Sequence, residues 1–181
     1  MRAVPVARAI AAVERALVDH AAGRRGAMIA YASGGALWDL AAATCGAIAS
    51  RFLAVGTPRT FGIIGDGELS LEAHRTWFSP REIRRATPDT PAAALACDIV
   101  CIHAPIAIAS SQLRRGTHVN VLAPCSFDPA LVALVADETV LGAMAAGLRD
   151  GRQLDELTLF VAGGAALALA ALTCRSSPDP Q

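Results

Sequence analysis

Residues 60–70 read Thr60-Phe-Gly-Ile-Ile-Gly65-Asp66-Gly67-Glu68-Leu69-Ser70, a compact apolar run that ends in two glycines and passes into a stretch of helical character near Glu68. An apolar run without polar alternation is the kind of strand that a parallel sheet buries on both faces. Glycines at its exit serve a tight turn and a close approach of helix to strand, and Gly-x-Gly-x-x-small in that setting has the form of a dinucleotide-binding turn. The segment therefore predicts a strand, a tight turn and a helix.

The flanking sequence supplies elements of the same kind. Upstream, residues 6–22 repeat apolar positions at helical spacing (Ile10, Val13, Leu17) and stop at Gly23, a helix-end signal. Residues 27–32 form a short apolar run read as a strand, Ser33-Gly34-Gly35 a turn, and 36–54 a second long helix broken by Gly56-Thr57-Pro58. Downstream, residues 81–89 leave room for only a short second strand. Two further buried strands are expected at 97–103 and 117–122, the latter introduced by Gly116. Helices are expected at 128–136 and 138–148, a last strand at 157–160 and a last helix at 163–172. The sum is an α/β fold, a minimal Rossmann-like parallel sheet flanked by helices.

Composition narrows the partners. The 181 residues are 54% hydrophobic and 18% charged, enough apolar content for a real core, and the formal net charge is zero, so nothing points to nucleic acid or an anionic membrane. Five cysteines (Cys45, Cys97, Cys101, Cys125, Cys174) are odd in number and lack Cys-x-x-Cys spacing. Neither a disulfide framework nor a metal site is expected, and a reducing, cytoplasmic setting fits. Arg2, Arg8, Glu14 and Arg15 interrupt the first apolar stretch, so no signal-peptide core forms, and the apolar run 157–173 is too short for a membrane span.

Six segments in order, 6–23 (VARAIAAVERALVDHAAG), 35–54 (GALWDLAAATCGAIASRFLA), 61–74 (FGIIGDGELSLEAH), 98–105 (DIVCIHAP), 116–122 (GTHVNVL) and 153–168 (QLDELTLFVAGGAALA), resemble successive landmarks of the ornithine cyclodeaminase and mu-crystallin family. The resemblance implies a division into 1–56, the remnant of a substrate and dimerisation domain reduced to helices and a short strand; 57–152, a shortened Rossmann-like domain; 153–175, a strand and apolar helix returning to the N-terminal part; and a tail at 176–181. It also implies a homodimer. The same conclusion is expected from the second helix, where only Asp39 and Arg51 are charged between residues 36 and 53; a helix apolar on nearly every side must be covered by something.

The resemblance also implies catalytic groups that this sequence lacks. All 16 basic residues are Arg, so the lysine that acts as the family's acid/base is missing, and the chain passes straight across the point between Gly26 and Ala30 where the substrate-domain sheet would carry it. The threonine that begins the family's long helix corresponds to Trp38, and its carboxylate-gripping Arg-Thr pair to Ala41-Ala42. The acid expected after the Gly-x-His-x-Asn strand falls near Pro124. Alanine offers nothing in place of a planar guanidinium fork.

At the glycine turn, Gly65, Gly67 and Ser70 are the candidate cofactor residues. Asp66 and Glu68 place two carboxylates where a pyrophosphate would lie, and charges about 4 Å apart repel by about 1 kcal/mol even in water. The acid that holds a ribose about 20 residues further on has only Asp89 as a candidate. No cofactor is therefore expected, with NAD the one doubtful exception. Any surviving chemistry belongs at the carboxyl ends of the strands, where His103 and Cys125 are the candidate catalytic pair and Trp38, Asp39, Asp66, Glu68, Asn120 and Ser126 candidate cleft residues; Arg84-Arg85 is a candidate phosphate holder. His118 and Asn120 are expected to serve as structural hydrogen-bonding groups. Two functions remain: a non-catalytic small-ligand binder or scaffold, or a repurposed small enzyme acting on an amine, imine or carbonyl metabolite near His103 and Cys125.

Overall fold

Helix α1 (Val6–Ala21) buries Val6, Ile10, Val13 and Leu17 along one stripe, the spacing that makes a surface helix amphipathic. Helix α2 (Ala36–Leu53) has no such stripe, and almost every residue from Leu40 to Leu53 is buried. Six strands form the main sheet: β1 (Thr60–Ile64), β2 (Glu82–Ala86), β3 (Ile99–Ile102), β5 (His118–Val121), β7 (Leu134–Ala136) and β8 (Thr158–Val161), in the order β2-β1-β3-β5-β8-β7. Every pairing is parallel. The computed structural model describes residues 5–24, 36–131, 133–153 and 155–162. The strand expected at 27–32, the turn after it, the helix at 163–172 and the tail lie outside the described residues.

The strands alternate between two cores. Phe61, Ile63, Ile99 and Cys101 face helix α3 (Glu68–His74), meeting Leu71, while Ile64, Val100, Ile102, Val119 and Val121 face the other way, onto helix α4 (Ala92–Leu95). Helices α1, α2 and α5 (Glu138–Ala145) build the third cluster with Phe160 of β8. Helices on both faces of a parallel sheet account for strands that read as unbroken apolar runs.

Two expectations are corrected. No helix forms over 128–136. Asp128 accepts from the backbone N–H of Ala130 through its side chain (2.8 Å) and from that of Leu131 through its carbonyl (2.9 Å), closing a turn, after which Leu134–Ala136 pairs with the free edge of β8. Short runs of Leu, Val and Ala fit either state, and an open ladder decides for the strand. Strands β4 (Ile106–Ile108) and β6 (Cys125–Phe127) pair as a separate two-stranded parallel sheet. The second correction concerns α2. Its apolar sides are covered within the chain, by α1, α3, α5, β5 and β8, so the argument for a dimer from uncovered helix surface fails. Among the described residues the large apolar side chains left exposed are Val55, Val135 and Leu148.

A buried polar chain joins α2 and α3 to the sheet and includes His118 and Asn120. The Nδ1 of His74 lies 2.6 Å from the Ser70 carbonyl, which only accepts, so Nδ1 carries the proton and Nε2 is an acceptor. Ser50 Oγ must then donate to that Nε2 (2.8 Å) and accept from Asn120 Nδ2 (2.9 Å). The Oδ1 of Asn120 lies 3.1 Å from His118 Nε2, and His118 Nδ1 lies 2.8 Å from Thr158 Oγ1, whose hydroxyl donates to the Leu53 carbonyl (2.9 Å). Burial favours the neutral form of both imidazoles and lowers their pKa values, to about 4 for His74 and about 3 for His118, from the usual 6.5.

These shifts set a pH dependence. Below about pH 6.5 the unfolded chain takes up a proton on each ring that the folded chain refuses, so stability falls with pH by about 1.4 kcal/mol per unit per histidine, until the folded His74 itself protonates near pH 4. Denaturant unfolding is expected to register a loss on the order of 3 kcal/mol between pH 6.5 and 5. A flat profile over that range would contradict the neutral, buried assignment.

Candidate functional site

The sheet order reverses between β1 and β3. From β1 the chain crosses through α3 to β2 on one side, whereas β3, β5 and β8 extend on the other. A crevice opens at such a switch point, outside the carboxyl ends of the two strands, and ligands of open α/β sheets bind there. Its walls here are the turn after β1 and the residues after β3.

The turn is held from both sides. Gly65 takes a φ of +89°, a left-handed conformation that favours glycine, and its N–H donates to the Ala86 carbonyl at the end of β2 (3.1 Å). Across the crevice the His103 N–H donates to the Ile64 carbonyl (2.8 Å). The side chain of His103 then folds back over the turn. A Cβ at Gly67 would stand 2.7 Å from its Cδ2 and 2.9 Å from its Nε2, so glycine at 67 is what lets the imidazole lie there. Ser70 Oγ, 2.9 Å from His103 Nε2, fixes the ring.

The structure thus brings together Gly65, Gly67, Ser70 and His103. Burial pulls the His103 pKa below its usual value, while the carboxylates of Asp39 and Asp66 act in the opposite sense. The ring is therefore neutral at pH 7, with two carboxylates at the rim of the crevice. Asp39 is exposed in the first turn of α2, and Trp38 beside it is half-buried against the helical core. Glu68 sits at the opposite edge, where Arg85 of β2 grips it at 2.6 Å.

Other candidates stand elsewhere. The recorded partner of His103 is Ser70, not Cys125, which lies in β6 of the small sheet with Ser126 exposed beside it. Burial pushes the Cys125 thiol up to about 11, so it is not a thiolate at neutral pH. Asn120 is fully buried beneath α2 and also donates to Cys101 Sγ (3.5 Å). Asp89 lies beyond β2 in a turn closed by the Thr90 N–H on the Thr87 carbonyl (3.1 Å). Arg84 is held by Glu82 of its own strand at 2.7 Å. Sequence reasoning missed Ser70 as the partner of His103 and Arg85 as the partner of Glu68, since both pairings join elements distant along the chain. Among the described residues no three His, Cys, Asp or Glu side chains stand together as metal ligands.

The turn fits a dinucleotide in its backbone. Gly65 and Asp66 are exposed at the outer edge of the crevice, where a pyrophosphate approaches. Its charge is more favourable than the sequence implied. Of the two carboxylates expected to repel phosphate, Glu68 has Arg85 as its counter-ion at 2.6 Å, whereas Asp66 acts on His103 in the crevice.

No family model and no curated protein matches this sequence. Solved structures do match. An archaeal alanine dehydrogenase, described as a dimer with bound NAD, superposes with a TM-score of 0.73 at 18% identity, covering 94% of this chain and 90% of that one. The Δ1-pyrroline-2-carboxylate reductase of Thermococcus litoralis, solved with NADH and L-proline, gives 0.67 at 15% identity, covering 98% and 96%. A probable ornithine cyclodeaminase from Bordetella pertussis Tohama I gives 0.64 at 17% identity, with the same coverage of 98% and 96%. The expectation of no cofactor is overturned by these likenesses, because neighbours that share the fold were solved with NAD or NADH. One of the two carboxylates on which that expectation rested, Glu68, is paired with Arg85 rather than bare. The fold of this chain is therefore the one shared by alanine dehydrogenase, pyrroline-carboxylate reductase and ornithine cyclodeaminase structures, in agreement with the resemblance in its sequence.

Proposed function

We propose that this chain binds a nicotinamide dinucleotide in the crevice between β1 and β3 and does not carry out lysine-dependent cyclodeamination. One observation carries the reading: the left-handed Gly65 turn stands at the switch point of the sheet, tied to β2 and β3 by backbone hydrogen bonds. Gly65 would meet the cofactor directly, with Gly67 and Ser70, both buried, shaping the turn beneath it. When bound, a nicotinamide dinucleotide supplies hydride chemistry. The chain contributes the crevice, the neutral imidazole of His103 and the rim of Trp38, Asp39 and Asp66.

Absence of the family's lysine, carboxylate-binding arginine and acid supports a role in binding rather than turnover of ornithine. On this reading residues 1–56 are the reduced substrate and dimerisation portion and 57–152 the dinucleotide portion. Pairing with a second copy is supported by the alanine dehydrogenase described as a dimer, and a reducing, cytoplasmic setting by the free cysteines Cys45, Cys97, Cys101 and Cys125. A second reading, a repurposed enzyme reducing an imine or carbonyl metabolite, is favoured by His103. Its imidazole, held by Ser70, is a group of the kind that accepts a proton when neutral and donates one only when protonated, as acid–base catalysis on an imine or carbonyl requires.

Calorimetry with NAD and with NADH is expected to give a dissociation constant of about 100 μM or tighter, near −5.5 kcal/mol. Ornithine with added NAD is expected to release no ammonia above a protein-free control. No heat with either dinucleotide at millimolar concentration would overturn the binding reading. Ammonia release would overturn the claim that cyclodeamination is lost.

A further inference from the structure

We infer that the dinucleotide preferred by this chain is the 2′-phosphorylated form, NADP(H), and that Arg85 is the residue that selects it; the inference rests on the dinucleotide reading above. In a sheet of this topology the adenosine ribose lies over the end of the strand next to β1. An acid there accepts hydrogen bonds from the free 2′-hydroxyl and repels a phosphate, whereas an arginine accommodates the phosphate. The strand in that position is β2, and it ends Ile83-Arg84-Arg85-Ala86. No carboxylate stands in its last four residues. Glu82, at its start, is engaged by Arg84, and Asp89 comes three residues after its end, inside the turn from Thr87 to Thr90.

Arg85 faces the required way. It pairs in register with Ile63 and lies on the same face of β2 as Ile83, the face that packs toward α3. Its guanidinium reaches the first residue of α3, with Nε and Nη2 both on Glu68 Oε1 at 3.0 and 2.6 Å. A cation therefore stands beside the glycine turn at the end of β2, where a ribose-binding acid would stand in an NAD site. Both partners are more than half exposed, 54% and 64%, and exposed ion pairs exchange partners readily. A phosphate carries more charge than a carboxylate and matches the planar fork of arginine through two parallel hydrogen bonds. Glu68 thus acts as the stand-in anion that keeps Arg85 extended over the turn when no phosphate is bound.

The test is calorimetry of the full chain with NADP and NAD separately, repeated on Arg85→Ala and Glu68→Gln. The unaltered chain is expected to bind NADP at least tenfold more tightly than NAD. Arg85→Ala is expected to bring that ratio to within about twofold, and Glu68→Gln, which frees the guanidinium, to widen it. Raising salt is expected to weaken NADP more than NAD. Both substitutions are at exposed side chains, and circular dichroism of each variant establishes that the fold is retained. NAD bound as tightly as NADP, or a ratio unmoved by Arg85→Ala, would overturn the inference while leaving the dinucleotide reading intact. Binding of neither would overturn both.

Discussion

The buried hydrogen-bond chain from Thr158 through His118, Asn120 and Ser50 to His74 is the constraint on which the crevice depends. It links β8, β5, α2 and α3, and its last member, His74, holds the carbonyl of Ser70, whose hydroxyl in turn positions His103. Carbonyls stand at both ends of the chain, Ser70 beside His74 and Leu53 beside Thr158. A group removed from the middle would leave its neighbour buried without a partner, which costs roughly 1–3 kcal/mol. The polar chain thus does for the orientation of α2 and α3 what apolar contacts cannot, since packing alone leaves a helix free to slide or rotate by small amounts.

Electrostatics at the glycine turn are decided by tertiary structure. Along the sequence Asp66 and Glu68 look like a local anionic barrier, but Glu68 meets Arg85 from a neighbouring strand as its counter-ion. Asp66, with Asp39 from the start of α2, instead acts on His103, where two carboxylates partly offset the effect of burial. The balance still favours the neutral ring. An imidazole, an arginine and two carboxylates gathered around one glycine turn give the site an uneven charge suited to orienting an asymmetric ligand.

Much of this architecture is legible from local sequence. The strand, glycine turn and helix from Thr60 to His74, the strands near Ile99 and His118, and helix α1 with its end before Gly23 each follow from periodicity and breakers over a few residues. The assignments that failed depend on partners far along the chain. Leu134–Ala136 is a strand because β8 offers it an edge, and nothing within 128–136 distinguishes that outcome from a helix. The apolar circumference of α2 reads as a surface left uncovered, and what covers it is α1, α3 and α5 folding around it, which leaves the question of a second copy to other observations. At the site, the glycines and His103 were legible as types at a strand end, whereas the His103–Ser70 and Glu68–Arg85 pairs, separated by 33 and 17 residues, were not.

The most direct test of a dinucleotide in the crevice between β1 and β3 is a crystal structure of the full chain grown with the nicotinamide dinucleotide that binds most tightly. The account predicts density for the pyrophosphate beside Gly65 and Asp66, with the adenosine ribose over the end of β2 next to Arg85. Dinucleotide density at any other place on the chain, with the crevice closed by the His103 side chain, would contradict it.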